Sequence, residues 1–97
     1  MDIVLWQKKF YEEVKKTFAK SLTSEQRLLS IFRQVADASM ELAKKKGLIE
    51  TEHISHISCE QSIANIFVDL FVLCEEEGVE LEQAFEIVLE YFKERRK

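Results

Sequence analysis

The chain has 97 residues, of which 46% are hydrophobic and 33% are charged, with no proline and only two glycines. This length suits one domain, and the composition favours helices over strands or long loops. The net charge of -4 and the pI near 5.2 argue against a surface built to neutralise nucleic-acid phosphates. No apolar run has the length of a signal peptide or of a membrane span. We therefore expect one cytoplasmic domain over residues 1–97, with neither nucleic acid nor a membrane as its partner.

Apolar side chains recur every three or four residues at the start of the chain and predict a first helix over about residues 2–19. Thr23 and Gln26 then have the spacing of a capping box, which predicts a second helix over about residues 24–46. Three lysines at its end suit the negative end of the helix dipole, and Gly47 suits a left-handed C-terminal cap.

The second half of the chain repeats these signals. Ser58 and Gln61 again have capping-box spacing and predict a third helix over about residues 59–77, with Gly78 as its cap. A fourth apolar period predicts a helix over about residues 81–95. Most aromatic residues fall at helical spacing, so we expect them in a core rather than on a surface that stacks bases. The four helices predict an all-α bundle.

The third helix is apolar almost all the way round. Its polar exceptions, Ser62, Asn65 and Asp69, are spaced i, i+3, i+7 and share one face. Because apolar side chains flank them, we expect all three to point inward or into a cleft. The few other helices of one chain cannot cover a helix that is apolar on almost every side. This predicts a homo-oligomer, either a dimer or a tetramer.

The second helix carries a matching polar stripe of Gln34, Asp37 and Glu41. A buried carboxylate needs a hydrogen-bond donor or a cation nearby, since burying it alone costs several kcal/mol. One interpretation is a hydrogen-bonded seam that fixes helix register, with Arg27 or Arg33 neutralising Asp37.

The other interpretation is a cation site. Oxygen ligands suit Mg²⁺, which keeps several waters and is completed by substrate phosphates. This interpretation places the metal at Asp37, Glu41 and Asp69.

The order of elements resembles that of a known family. Two long helices with polar positions three apart are followed by the stretch Leu73-Cys74-Glu75-Glu76-Glu77-Gly78-Val79-Glu80-Leu81-Glu82-Gln83-Ala84 and a closing helix. From about Leu22 to the C-terminus, this arrangement resembles the MazG-like nucleotide pyrophosphohydrolases. The resemblance implies the all-α NTP pyrophosphatase type of four-helix bundle, Mg²⁺ as cofactor and a nucleoside triphosphate as ligand.

That family holds Mg²⁺ with a Glu-x-x-Glu pair on one helix and a Glu-x-x-Asp pair on the next. The resemblance places these positions on Gln34, Asp37, Ser62 and Asn65, of which only Asp37 is acidic. It also implies a basic group in the closing helix, for which the candidates that would bind phosphate are Lys93, Arg95 and Arg96.

Three functions follow from these patterns. The first is a MazG-like protein whose site is degenerate. The second is an active Mg²⁺-dependent pyrophosphohydrolase with carboxylates shifted to Asp37, Glu41 and Asp69. The third is a non-catalytic helical interaction protein in which the polar stripes are structural, and salt bridges from Asp37 and Asp69 to Arg27 or Arg33 would favour it.

A zinc site is a weaker alternative. His53, His56 and Cys59 offer soft ligands one helical turn apart, but a structural zinc site needs four ligands and only Cys74 remains. We favour exposed histidines. Cys59 and Cys74 lie too far apart along one helix to form a disulfide, so we expect reduced, buried thiols.

Overall fold

A computed structural model describes residues 2–18, 20–50 and 58–96, which form four α-helices and no strand. The helices are α1 (Ile3–Thr17), α2 (Ser24–Lys45), α3 (Cys59–Glu76) and α4 (Leu81–Arg95). Each predicted boundary lies within two residues of the observed one, and the all-α prediction is confirmed. The bundle type and the oligomeric state stay predictions. In the described part of the chain, no helix combines the length and the apolar character needed to cross a membrane.

Side chains cap the starts of three helices. The Asp2 carboxylate accepts a hydrogen bond from the backbone N–H of Leu5 at 3.2 Å. The predicted capping box of α2 is confirmed in both directions, with the Gln26 N–H donating to Thr23 Oγ1 at 3.1 Å and the Thr23 N–H donating to Gln26 Oε1 at 3.0 Å. Before α3, Ser58 Oγ accepts from the Gln61 N–H at 3.1 Å. These bonds satisfy amides that a helix start otherwise leaves unpaired.

Both glycines end helices in the left-handed conformation, as predicted. Gly47 has φ +70° after α2, and Gly78 has φ +67° after α3. The following residue closes each cap, since the Leu48 N–H donates to the Ala43 carbonyl at 2.8 Å and the Val79 N–H bonds the Cys74 carbonyl at 2.8 Å. This six-to-one pattern is the Schellman motif, in which a residue with a Cβ would be strained.

The described contacts group into two compact units. The first unit comprises Met1–Ser21 and Phe71–Lys97, and the second comprises Leu22–Leu70. The prediction of a single domain over residues 1–97 stays a prediction.

In the first unit, α1 packs against the C-terminal end of α3 through aromatic rings. Phe10 stacks on Phe71 with ring centroids 5.9 Å apart and planes 8° from parallel, and Trp6 lies 5.2 Å from Phe10. Phe71 and Val72 are buried.

A buried amide links the same elements. Gln7 is only 7% exposed, and its Nε2 donates to Glu75 Oε2 at 3.0 Å and to the Val79 carbonyl at 3.1 Å. Gln7 lies within the apolar stripe of α1, between Ile3 and Phe10. Its two bonds satisfy acceptors at the end of α3 and in the turn that follows.

In the second unit, α2 and α3 run antiparallel. Arg27 near the start of α2 pairs with Asp69 late in α3, whereas Lys45 at the end of α2 lies 3.9 Å from Glu60 at the start of α3. The buried apolar residues in this unit are Ile31 and Ala38.

The prediction that the aromatic residues lie mostly in a core is wrong for the described chain. Phe71 is buried, and Trp6 and Phe10 are half-buried. The exposed aromatic side chains are Phe18, Phe32, Phe67, Phe85, Tyr91 and Phe92. Helical spacing assigns a side chain to a face but does not provide a second helix to cover that face.

We predict that Gln7→Leu destabilises the protein by about 1–3 kcal/mol, because the two hydrogen bonds of a buried amide, to Glu75 and to the Val79 carbonyl, are lost. Chemical denaturation followed by circular dichroism would measure the change. Gln83→Leu is the matched control: Gln83 is exposed on α4, so its free energy of unfolding should change by less than about 0.5 kcal/mol. Equal effects of the two substitutions would contradict the role assigned to Gln7.

Candidate functional site: a polar seam between two helices

Arg27, Ser30, Gln34 and Asp69 form a polar seam between α2 and α3. Arg27 Nη1 donates to Asp69 Oδ1 at 3.2 Å. Gln34 Nε2 donates to the other carboxylate oxygen, Asp69 Oδ2, and also lies 3.1 Å from Ser30 Oγ. Both oxygens of Asp69 are therefore engaged by donors from α2.

The seam follows from the periodicity of α2. Arg27, Ile31, Gln34, Ala38 and Glu41 are spaced i, i+4, i+7, i+11, i+14, so one face of the helix alternates polar and apolar groups. Arg27, Ile31 and Ala38 on this face are buried. The interior of the second unit consequently combines a charged side chain and an amide with a few apolar side chains.

The ion pair is shielded from water. The Arg27 side chain is 6% exposed and the Asp69 side chain 17%. Removing water weakens the solvation of both charges, which makes each partner dependent on the other. The predicted need of Asp69 for a donor or a cation is thus met by a guanidinium and an amide from the protein itself.

Among the described residues, no hydrogen-bond donor reaches two buried acceptors on α2, Gln34 Oε1 and Glu41 Oε1. A donor at either oxygen would stabilise the helix pair, since an unpaired buried acceptor costs about 1–3 kcal/mol.

The predicted metal ligands are not brought together into a recognisable cluster. Asp37 and Glu41 are half-buried on α2, and Asp69 is held in the seam. Within residues 2–18, 20–50 and 58–96, no group of three or more His, Cys, Asp and Glu side chains is arranged to hold a metal ion. The Mg²⁺ site stays a prediction.

Two expectations about the polar stripes are corrected. Asn65 is exposed, whereas Ser62 is buried and Asp69 half-buried. A single neighbouring helix covers only a narrow strip of α3, and Asn65 falls outside it. Arg27 pairs with Asp69 rather than with Asp37, because ten residues of helix separate Arg27 from Asp37 by about 15 Å. The alternative, Arg33 neutralising Asp37, stays a prediction.

The predicted phosphate-binding residues lie at the end of α4 in the first unit. Lys93 Nζ is 3.2 Å from Glu90 Oε1, and the Arg95 guanidinium lies 5.8 Å from the centre of the Tyr91 ring. Arg96 is exposed. Two of these three groups thus have partners on their own helix.

The first unit also contains a cleft of about 440 Å³ that sequence reasoning missed. Its polar lining is mainly acidic and includes Gln7, Lys8, Glu75, Glu80 and Glu82. The Gln7 amide nitrogen is already used within the unit. The only available signal was a glutamine in the apolar stripe of α1, which indicates a buried amide rather than a ligand.

Both cysteines are free thiols, as expected, but they are half-buried rather than fully buried. Burial raises the pKa of the Cys74 thiol, so this side chain stays protonated at neutral pH. His53 and His56 of the zinc alternative lie outside the described residues.

Comparison with profiles of protein families, with curated proteins and with solved structures gave no match. The resemblance to the MazG-like family therefore stays a prediction, and the site must be interpreted from its own geometry.

We predict that Arg27→Met destabilises the protein by about 3–5 kcal/mol, because the Asp69 carboxylate is left without its cation in a shielded position. Adding Asp69→Leu should recover most of that loss, since the unpaired charge is then gone. Urea denaturation of both single variants and the double variant gives the coupling energy. Strictly additive effects would contradict the pairing.

Proposed function

We propose that this chain is a non-catalytic helical interaction protein that works by self-association. The proposal rests on the exposure of α4. Every residue of this helix is described, and none of them is buried. α4 contacts α1, but only Leu81 and Ala84 are half-buried and its other residues are exposed, so the helix adds little apolar burial to its own chain.

The sequence of α4 nevertheless has the pattern of a packing helix. Leu81, Phe85, Val88 and Phe92 are spaced i, i+4, i+7, i+11 and form one apolar stripe. Phe85, Val88 and Phe92 are exposed. Covering side chains of this size stabilises a complex by up to about 1.5–3 kcal/mol each. This stripe supports docking against another apolar helical surface.

The seam supports a role without catalysis. Asp69 is neutralised from within the chain, and neutral side chains stand at Gln34, Ser62 and Asn65, where the resembled family has acids. An amide or hydroxyl does not supply the negative charge that draws Mg²⁺ to a triphosphate.

A degenerate MazG-like protein is the second candidate. It is favoured by the antiparallel contact of α2 and α3, the two helices that carry the acidic pairs in that family. The two candidates are compatible, because a fold that has lost its metal ligands can still assemble.

We expect no pyrophosphate release from canonical or modified nucleoside triphosphates with Mg²⁺ or Mn²⁺, and no heat of binding when Mg²⁺ is titrated into the protein. Asp37→Asn and Asp69→Asn serve as the matched variants. Turnover that both substitutions abolish while helicity persists would establish the shifted carboxylate site and contradict the proposal.

We expect Val88→Glu to weaken self-association by at least about tenfold, because it places a charge in the α4 stripe. Sedimentation equilibrium over a range of protein concentrations would measure the dissociation constant. Ile87→Glu is the control: Ile87 is 72% exposed and lies off the stripe on the adjacent position of the same helix, so the constant should change little. A parent chain that is monomeric at every concentration would contradict the proposal.

A further inference from the structure

We infer that the α2–α3 pair of the second unit docks face to face with the same pair of a second copy and completes a four-helix bundle. This inference deepens the proposed self-association and rests on it. It assigns a second contact surface besides the α4 stripe, the partner that this surface binds and the order in which the residues meet.

The α2 helix has a second apolar stripe besides the seam. Leu28, Phe32, Val35 and Leu42 fall on one side of the helix at 100° per residue, roughly 100° round from the seam residues. All four side chains are exposed. Phe32 is the most exposed of them, at 72%.

The α3 helix has a corresponding stripe. Ile63, Phe67 and Leu70 lie on one side of α3, again roughly 100° round from the Ser62 and Asp69 face. Ile63 and Phe67 are exposed, and Leu70 is half-buried.

The two stripes lie on the same side of the helix pair. On each helix the offset from the seam to the stripe has the same rotational sense when the helix is viewed from its N-terminus. When two antiparallel helices face each other across the seam, equal rotations of this kind place both stripes on the same side of the helix pair. The pair of helices therefore presents one broad apolar face.

The polar contacts bracket the register of the two helices, since Asp69 is bound by both Arg27 and Gln34 and therefore lies between their heights. Counting along both helices from there places Leu28 within one helical turn of the height of Leu70, Phe32 of Phe67 and Val35 of Ile63. The next layer has Ser39 near the height of Cys59. Between Leu28 and Ser39 the face thus descends from two leucines and two phenylalanines to smaller side chains, and Leu42 follows beyond Ser39.

A second copy fits this gradient when it is turned end for end. The two-fold axis of this arrangement lies in the interface, perpendicular to the helices. It passes between the phenylalanine layer and the Val35–Ile63 layer, so it reverses the order of the layers in the second copy. The phenylalanines then pack on Val35 and Ile63 of the second copy, and Leu28 with Leu70 packs on Ser39 with Cys59. Over these layers large side chains meet small ones, as a close-packed core requires, while Leu42 lies level with Glu25 of the second copy. Such a patch is self-complementary, which is the condition for a closed dimer.

Charge favours the same orientation. Glu25 borders the α2 stripe at one end and Lys46 borders it at the other. End-for-end pairing brings each lysine to within about four residues, or about 6 Å along the helix, of the glutamate of the second copy. The interface is bordered by opposite charges at both ends.

The size of the face is adequate for a dimer. With exposures between 43% and 72% for Leu28, Phe32, Val35, Leu42, Ile63 and Phe67, the six side chains present on the order of 600 Å² per copy. A standard interface buries about 800 Å² per partner, and the rim supplies the rest.

The first test compares Phe32→Glu with Leu29→Glu by sedimentation equilibrium. Leu29 is 69% exposed, almost as much as Phe32, but it lies off the stripe of the same helix. We expect Phe32→Glu to raise the dissociation constant about 100-fold or more and Leu29→Glu to change it less than about threefold. Circular dichroism checks that both variants keep their helices.

A second test needs no disruptive substitution. In a background with Cys59→Ala and Cys74→Ala, one chain carries Leu28→Cys and another carries Ser39→Cys. Mild oxidation of the mixture should give a cross-linked dimer, whereas neither chain should cross-link alone.

The outcomes separate this inference from the proposed function. A dissociation constant that is unchanged by Phe32→Glu, or cross-linking of each cysteine variant with itself, would overturn the assigned face and register while leaving association through the α4 stripe standing. A parent chain that never associates would remove both.

Discussion

The ion pair between Arg27 and Asp69 is the constraint on which the second unit depends. Two charges removed from water must stay together, so the guanidinium and the carboxylate fix both the height and the rotation of α2 against α3. Gln34 reinforces this alignment by binding the second carboxylate oxygen. Polar contacts of this kind specify register well but stabilise weakly. Because the seam takes the inner face, the apolar stripes of both helices are turned outward.

In the first unit, too, a polar contact aligns the helices and apolar side chains pack beside it. Gln7 aligns α1 with the end of α3, and the stacked rings of Phe10 and Phe71 supply the apolar contact. The stripe of α4 is left exposed. In both units, buried polar groups determine how the helices are placed, while most of the large apolar side chains are exposed. This pattern favours assembly over chemistry as the role of the chain.

Sequence reasoning was reliable where the cause is local. Capping residues such as Thr23 and left-handed glycines such as Gly78 act within a few residues, so the helices and their ends could be predicted. That Asp69 would need a donor also followed from burial alone. Its partner could be narrowed only to Arg27 or Arg33, since Arg27 is 42 residues away and only the packing of the helices brings them together. The exposure of Asn65 and of the aromatic residues was missed for a related reason, because periodicity identifies a face but not the helix that covers it.

The exposed apolar faces have a consequence for the amount of protein in a cell. In the proposed assembly, the surface that would bind a second copy is, on a lone chain, the kind of surface that chaperones and proteases recognise. Newly made chains at low concentration would then meet such factors before they meet each other, whereas abundant chains would assemble and cover this surface. The lifetime of the protein should therefore lengthen as its own concentration rises, so that supply and turnover are coupled without a separate regulator.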